Sequence, residues 1–268
     1  MTNASLTPPR LHTASPVVVV RGLVVGWGDV TLIENVTFDV GHGEIFAILG
    51  GSGSGKSTLL RFLVGLEVPA RGEIDIAGQG APDLGEGLPP FGVMFQDGAL
   101  FGSMTVLENV ALPLEEWTPL GPEAIHVIAR YKLRLVGLQD AAQKLPDELS
   151  GGMTKRAAIA RALALDPRIV FLDEPSAGLD PENAAELDDL ILTLAGTMDV
   201  TVVMVTHELE SVFRVADRCL LLDKESKSVV AIGDPRELRE SDDPHVRRFF
   251  HPGSNKQRRR RWQPVPTT

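Results

Sequence analysis

Residues 50–58 read GGSGSGKST, a glycine-rich run that ends in a lysine and two side-chain hydroxyls. The short apolar segment Ile45–Leu49 precedes this run, and leucines at helical spacing follow it. Residues 50–57 therefore satisfy the pattern G-x-x-x-x-G-K-[ST] in the order strand, glycine loop, helix. This pattern is typical of loops that bind the phosphates of a nucleoside triphosphate.

The chemistry of a triphosphate explains each residue type in the loop. A dense anion needs several converging backbone N–H groups, and glycines allow both the tight path and the close approach. The helix that follows adds its free N–H groups and the positive end of its dipole. Lys56 supplies a mobile positive charge, and the Ser57 hydroxyl can bind Mg²⁺. The predicted nucleotide-binding residues are Gly50, Gly51, Ser52, Gly53, Ser54, Gly55, Lys56, Ser57 and Thr58.

A second apolar run, Ile169–Leu172, ends in two acids, Asp173 and Glu174. Acids at the carboxyl end of a parallel strand lie where such sheets bind ligands. Asp173 can hold the Mg²⁺ shell, and Glu174 can orient and polarise an attacking water. Alone, this arrangement is more often a solvated strand end. The phosphate loop earlier in the chain favours the catalytic interpretation.

A third stretch, LSGGMTKRAAIARAL at residues 149–163, lies between these two motifs. Ser150 is a good helix N-cap, and the helix after it would present free N–H groups to an anion. The whole stretch closely resembles the signature motif of the ATP-binding-cassette (ABC) ATPases. With the loop and the Asp173-Glu174 strand, it makes the chain similar to an ABC nucleotide-binding domain over about residues 17–240.

The resemblance implies roles for further residues. Trp27 matches the aromatic residue that stacks on adenine, although a tryptophan packed in the core is the alternative. Residues 176–180, SAGLD, resemble the loop at the dimer seam and place Asp180 there. The predicted catalytic residues are Glu174, the switch histidine His207 and the Q-loop glutamine Gln96. The predicted cofactors are ATP and Mg²⁺, the latter held by Ser57, Gln96 and Asp173.

The resemblance also implies that two copies face each other head to tail. Each ATP would lie between the 50–57 loop of one copy and Ser150, Gly151 and Gly152 of the other. A γ-phosphate held between two positively polarised helix ends joins the copies only while it is intact. Hydrolysis would then open the dimer.

The expected fold class is α/β. Apolar strand patterns alternate with helical ones, which predicts a mainly parallel sheet covered on both faces. The resemblance implies the P-loop NTPase fold with a RecA-like core, an N-terminal antiparallel β region and an inserted α-helical subdomain. The expected divisions are a flexible lead-in over residues 1–16, the cassette over 17–240 with the helical subdomain at about 97–165, and an extension over 241–268.

Two departures from the commonest cassette pattern point to a subfamily. Met153 stands where most cassettes carry Gln, and residues 97–110 read DGALFGSMTVLENV. Both resemble the ATPases of bacterial lipid transporters that work with MCE-domain proteins, the Mla type, although Met153 is equally consistent with a neutral replacement on a helix face. The implied role is phospholipid transport between inner and outer membranes, on the cytoplasmic face of the inner membrane. The implied partners are a second copy, transmembrane permease subunits, an MCE-domain protein and a small STAS-domain protein.

Composition limits the alternatives. The 268 residues carry a net charge of −10 and one cysteine, and no apolar run approaches the roughly 18 residues of a membrane span. The charge argues against a nucleic-acid partner and so against a soluble ABC protein that acts on DNA or ribosomes. An ABC ATPase for another substrate, such as an amino acid or a metal complex, stays open. Residues 252–268 form a basic tail on an acidic body, with a solvated tail, a docking arm or a lipid contact as its alternatives.

Overall fold

The computed structural model describes residues 16–27, 30–83, 85, 87–88 and 90–251. The strands are β1 Pro16–Trp27, β2 Val30–Gly41, β3 Ile45–Gly50, β4 Glu73–Ile76, β5 Phe91–Met94, β6 Ile169–Asp173, β7 Thr201–Val205, β8 Arg218–Asp223 and β9 Ser228–Gly233. The helices are α1 Lys56–Leu63, α2 Val106–Trp117, α3 Pro122–Leu135, α4 Gly151–Ala162, α5 Pro181–Thr197, α6 Leu209–Val215, α7 Pro235–Arg239 and α8 Pro244–Phe250.

Two sheets organise the molecule. The larger has the order β5-β6-β7-β3-β8-β9, with every pair parallel except β8 and β9. The smaller sheet, β2-β1-β4, is antiparallel. The strands β3, β6 and β7 are buried along their whole length, as continuous apolar runs predict. The expected α/β class, with its parallel core and N-terminal antiparallel region, is confirmed.

Apolar side chains fill both faces of the larger sheet. On one face Phe46 and Ile48 pack with the smaller sheet and α1. On the other face Ala47 and Leu49 pack with the helices. Because successive side chains of a strand point to opposite faces of the sheet, β3 contributes side chains to both hydrophobic cores. Its carboxyl end lies at the edge of the sheet that the neighbouring parallel strands share.

Several elements go beyond what the sequence pattern indicates. β2 begins at Val30, six residues before the β-branched run at residues 36–40, because its first residues pair with the end of β1. β4, α7 and α8 were not predicted. Pro113 lies inside α2, where proline costs about 3 kcal/mol. A capping box between Thr105 and Glu108 and a buried apolar face keep α2 continuous.

Candidate active site

The glycine loop joins β3 to α1 and wraps around the Lys56 side chain. Lys56 is buried, and its Nζ donates hydrogen bonds to the carbonyl oxygens of Gly50, at 2.9 Å, and Gly51, at 3.4 Å. The N-cap of α1 is Gly55, with φ of +93° and no side-chain cap. The first N–H groups of α1 are therefore open to an anion. The buried Ser54 Oγ has no hydrogen-bond partner among the described residues.

Glu174 follows directly after β6 and faces this lysine. Its Oε1 lies 3.9 Å from Lys56 Nζ, and the side chains of both residues are less than a tenth exposed. The Glu174 backbone has φ of +48° and donates its N–H to Val205 O at 2.8 Å. A left-handed conformation is costly for a non-glycine residue, and such strain concentrates at functional sites.

His207 completes the cluster from the end of β7. Its Nδ1 lies 3.0 Å from Glu174 Oε1 and 2.9 Å from Oε2, while its Nε2 lies 3.4 Å from Glu208 Oε1. The tautomer with Nδ1 protonated donates to the Glu174 carboxylate. The His207 side chain is about half exposed, so the cluster opens to solvent on this side.

Burial and charge shift the pKa values of two groups in opposite directions. Burial lowers the pKa of Lys56, against the opposing attraction of Glu174 and Asp173. Burial and the neighbouring Glu174 raise the pKa of Asp173, although a hydrogen bond from Ser57, at 3.3 Å between Oγ and Oδ1, partly offsets this. The edge of the sheet therefore groups buried, oppositely charged side chains with shifted pKa values, which is typical of functional sites.

The Gln96 side chain makes no hydrogen bond to the Lys56–Glu174–His207 cluster among the described residues. Gln96 follows β5 and is exposed, and its carbonyl oxygen accepts a short hydrogen bond from Lys155 Nζ. The same Nζ donates to Glu174 O at 3.1 Å. Lys155, on α4, thus connects the signature helix to the end of β6 and to Gln96.

The segment after Gln96 is held by two further side chains. Arg161 donates to Gly98 O at 2.8 Å and to Ala99 O at 2.7 Å. The buried Asn109 accepts from Phe101 N and donates to the carbonyl oxygens of Phe101, Met104 and Thr105. Sequence reasoning missed Lys155 and Asn109 because a polar residue on an amphipathic helix gives no sign of its distant partner.

The signature residues lie apart from the phosphate loop. Ser150 caps α4 by accepting from Met153 N at 3.3 Å, and it is exposed together with Gly151. Within the described part of the chain, no hydrogen bond or ion pair joins Ser150, Gly151 or Gly152 to residues 50–58. A Cβ on Gly152 would lie 3.1 Å from Asn183 Oδ1, which places the start of α4 beside α5.

The structure describes the contacts of Asp180, whereas for Trp27 it describes only the backbone. Asp180 is the N-cap of α5 and accepts from Glu182 N, at 3.1 Å, and Asn183 N, at 3.0 Å, and these bonds lower the pKa of its carboxyl. Its predicted place at a dimer seam stays a prediction. The backbone of Trp27 ends β1, but its side chain lies outside the described residues.

The fold and the cluster at its edge define a class of protein. A glycine loop between a buried strand and a helix, with a buried lysine facing a carboxylate and a histidine, is the arrangement of a P-loop enzyme that hydrolyses a nucleoside triphosphate. Among the described residues, none of the helices is both long and apolar enough to cross a membrane.

Comparisons with known proteins give the family. The ABC transporter family model matches residues 33–177, and this chain belongs to that family. It is an ATP-binding ATPase subunit whose hydrolysis of ATP is coupled to transport. It is 31% identical to a dimeric ATP-binding cassette solved in a post-hydrolysis state with ADP and Pi, with a TM-score of 0.72 over 81% of this chain and 98% of that one.

The similar curated proteins fall into two groups, whose names state different transported substrates. The intermembrane phospholipid transport system ATP-binding protein MlaF of Escherichia coli is 40% identical over 83% of this chain and 84% of its own length. The probable ribonucleotide transport ATP-binding protein mkl of Mycobacterium leprae is 44% identical over 87% of this chain and 68% of its own length.

Proposed function

We propose that this chain powers the transport of phospholipids between the inner and outer membranes of a bacterial envelope. The observation that carries the ATPase part is the contact of Glu174 with both Lys56 and His207 at the edge of the sheet. The cargo is inferred from the match to MlaF proteins over 84% and 89% of their length, together with the Met153 and 97–110 features. The mkl relatives, whose name gives another cargo, are matched over a smaller share of their length.

In the proposed mechanism the γ-phosphate lies between the open N–H groups of α1 and the Lys56 ammonium. Glu174 accepts a hydrogen bond from the attacking water, orients it in line with the bond to be broken and takes its proton. The His207 Nδ1–H bond holds the Glu174 carboxylate in place. The products are ADP and phosphate.

The residues present fit a magnesium ion at this edge. Ser57 Oγ and Asp173 Oδ1 lie 3.3 Å apart, and a hydroxyl and a carboxylate beside phosphate oxygens are the ligands that Mg²⁺ takes in such sites. The ion would neutralise charge that develops on the phosphate oxygens. We propose Ser57, Asp173 and, once its side chain turns inward, Gln96 as the residues that hold it.

We propose that the functional unit is a homodimer with two shared sites. The start of α4 supports this, because Ser150 and Gly151 are exposed and no hydrogen bond among the described residues joins them to the 50–58 loop of the same chain. In the dimer this end would cap the γ-phosphate bound to the other copy, with Asp180 near the seam. Loss of the γ-phosphate removes the shared anion and releases the two copies.

A groove of about 580 Å³ supports a permease partner. Its lining includes Leu66, Leu88, Phe95 and Trp117, and apart from the partly buried Phe95 these large apolar side chains are more than two fifths exposed. Phe95 immediately precedes the Gln96–Val110 segment. We propose that a cytoplasmic helix of the permease docks here, with the chain peripheral to the inner membrane. An MCE-domain protein and a STAS-domain protein belong to the same proposed complex.

The test is purification of the chain with its membrane partners, followed by reconstitution into vesicles. We expect ATP-dependent transfer of labelled phospholipid, absent in a matched complex that carries Glu174→Gln. Bound lipid in the purified complex supports the same cargo. ATP-dependent movement of a ribonucleotide, an amino acid or a metal complex without movement of lipid would contradict it.

A further inference from the structure

The last helix of the described chain is docked on the body of the protein. Val246 and Phe250 of α8 are buried in the core beside the helices. The ring of Phe250 lies 5.8 Å from that of Phe213 on α6. Because Val246 and Phe250 are both buried, α8 has a fixed position relative to the larger sheet.

From this position α8 holds the turn that joins β8 to β9. One guanidinium, Arg248, donates to Asp223 Oδ1 and to Glu225 Oε2, each at 2.8 Å. His245 Nδ1 lies 3.3 Å from the other Asp223 oxygen. The two acids flank Lys224, so Arg248 fixes the backbone on both sides of this lysine.

The turn lies against the phosphate loop. Leu222 pairs with Gly50 in the parallel register of β3 and β8, which brings the following residues over the loop. Lys224 Nζ lies 3.3 Å from the point that a Cβ on Gly53 would occupy, and the other near atoms at that point are also those of Lys224. Lys224 is exposed and has no hydrogen bond or ion pair within the described ranges.

We propose that Lys224 is a second lysine of the phosphate site, held there by Arg248. This inference rests on the proposed role of residues 50–58 as the nucleotide phosphate site. An ammonium against the loop is within one Debye length of any phosphate that the loop binds, which is about 10 Å at 0.1 M salt. Lys224 therefore attracts the polyphosphate, and the C-terminal helix sets its position through Arg248.

The first test measures the affinity for ATP of Lys224→Ala beside Lys227→Ala, an exposed lysine of the same turn. We expect a three- to tenfold weaker affinity for Lys224→Ala, an affinity close to wild type for Lys227→Ala and rescue by Lys224→Arg. The loss should shrink at 1 M salt, where the Debye length is about 3 Å, whereas a packing role does not depend on salt. Equal affinities of the two alanine variants would overturn the proposal.

The second test combines Arg248→Ala with Lys224→Ala. If Arg248 acts through Lys224, Arg248→Ala weakens ATP binding in the wild type but adds nothing in the Lys224→Ala background. Additive losses would overturn the positioning role. Lys56→Ala separates a failure of this inference from a failure of the proposed phosphate site. A large loss with Lys56→Ala and none with Lys224→Ala contradicts this inference alone, while no loss with Lys56→Ala contradicts the phosphate site itself.

Discussion

The carboxyl edge of the larger sheet and the start of α4 are the two halves of the proposed site. They differ in whether their polar groups are buried against partners within one chain or exposed. At the sheet edge, Lys56 and Glu174 are buried and face each other, and His207 holds the carboxylate. At the start of α4, Ser150 and Gly151 are exposed and bond only within their own turn. The first half is assembled within one chain, whereas the second half leaves Ser150 and Gly151 exposed to solvent.

This difference between the two halves explains how one chain can be stable by itself and still depend on a second copy for activity. The buried cluster can form during folding because its charges are paired. An exposed helix end costs little in water, since water satisfies its N–H groups, and it becomes useful only when an anion from outside is brought to it. Changes to the first half should therefore affect the bound nucleotide directly, and changes to the second half should act through dimerisation.

The largest expected effect, on hydrolysis and ATP binding together, is that of Lys56→Ala. It removes the buried cation that we propose faces the phosphates, so ATP hydrolysis should fall at least about 100-fold, and ATP affinity should fall with it. Phosphate release and equilibrium binding of ATP measure the two quantities. Retained affinity would show that the loop is not the phosphate site.

Glu174→Gln should separate chemistry from binding. Loss of the base should lower the hydrolysis rate by about 100- to 10,000-fold, while ATP affinity stays near wild type because the glutamine retains the shape of the side chain. Single-turnover hydrolysis measured beside equilibrium ATP binding checks this split. A variant that hydrolyses ATP at the wild-type rate would refute the role of Glu174.

Ser150→Ala tests the exposed half. Loss of the cap should cost about 1 kcal/mol of stability, and hydrolysis should fall about tenfold with no change in ATP affinity of the monomer. The matched control is Thr105→Ala, which removes the N-cap of α2. Comparable losses of hydrolysis in both variants would assign the effect of Ser150 to stability alone.

The last effect concerns stability alone and arises from a buried carboxyl on α5. Asp188 on α5 is buried, one of its oxygens has no partner among the described residues, and burial raises its pKa to about 6. Arg214 lowers this pKa and Asp189 raises it, and Glu208 and Glu210 line the same small cavity. Because the pKa of Asp188 is about 6 in the folded protein and 3.8 for an ordinary aspartate, stability should fall as the pH rises from 3.8 to about 6.

Asp188→Asn removes this dependence. At pH 8 the variant should be more stable than wild type by about 1–2 kcal/mol, and the difference should vanish near pH 4. Chemical denaturation at both pH values measures it. A variant less stable than wild type at pH 8 would show that the charged carboxylate has a stabilising partner.

Much of the sheet edge could be predicted from the sequence, and physical reasons explain why. The runs at β3, β6 and β7 are continuous and apolar because both faces are buried, and a glycine loop or an acid follows each of the first two. The contacts of Lys155 with Gln96 and Glu174, and those of α8 with the β8–β9 turn, could not be predicted, because the partners lie far apart along the chain. Pro113 shows burial outweighing local propensity.

The central claim, that two copies share each ATP, is tested most directly by sedimentation of Glu174→Gln. With ATP we expect a dimer, because the intact γ-phosphate would lie between the loop of one copy and the exposed α4 end of the other. With ADP we expect a monomer. A variant that remains monomeric with saturating ATP would show that the two copies do not share the nucleotide.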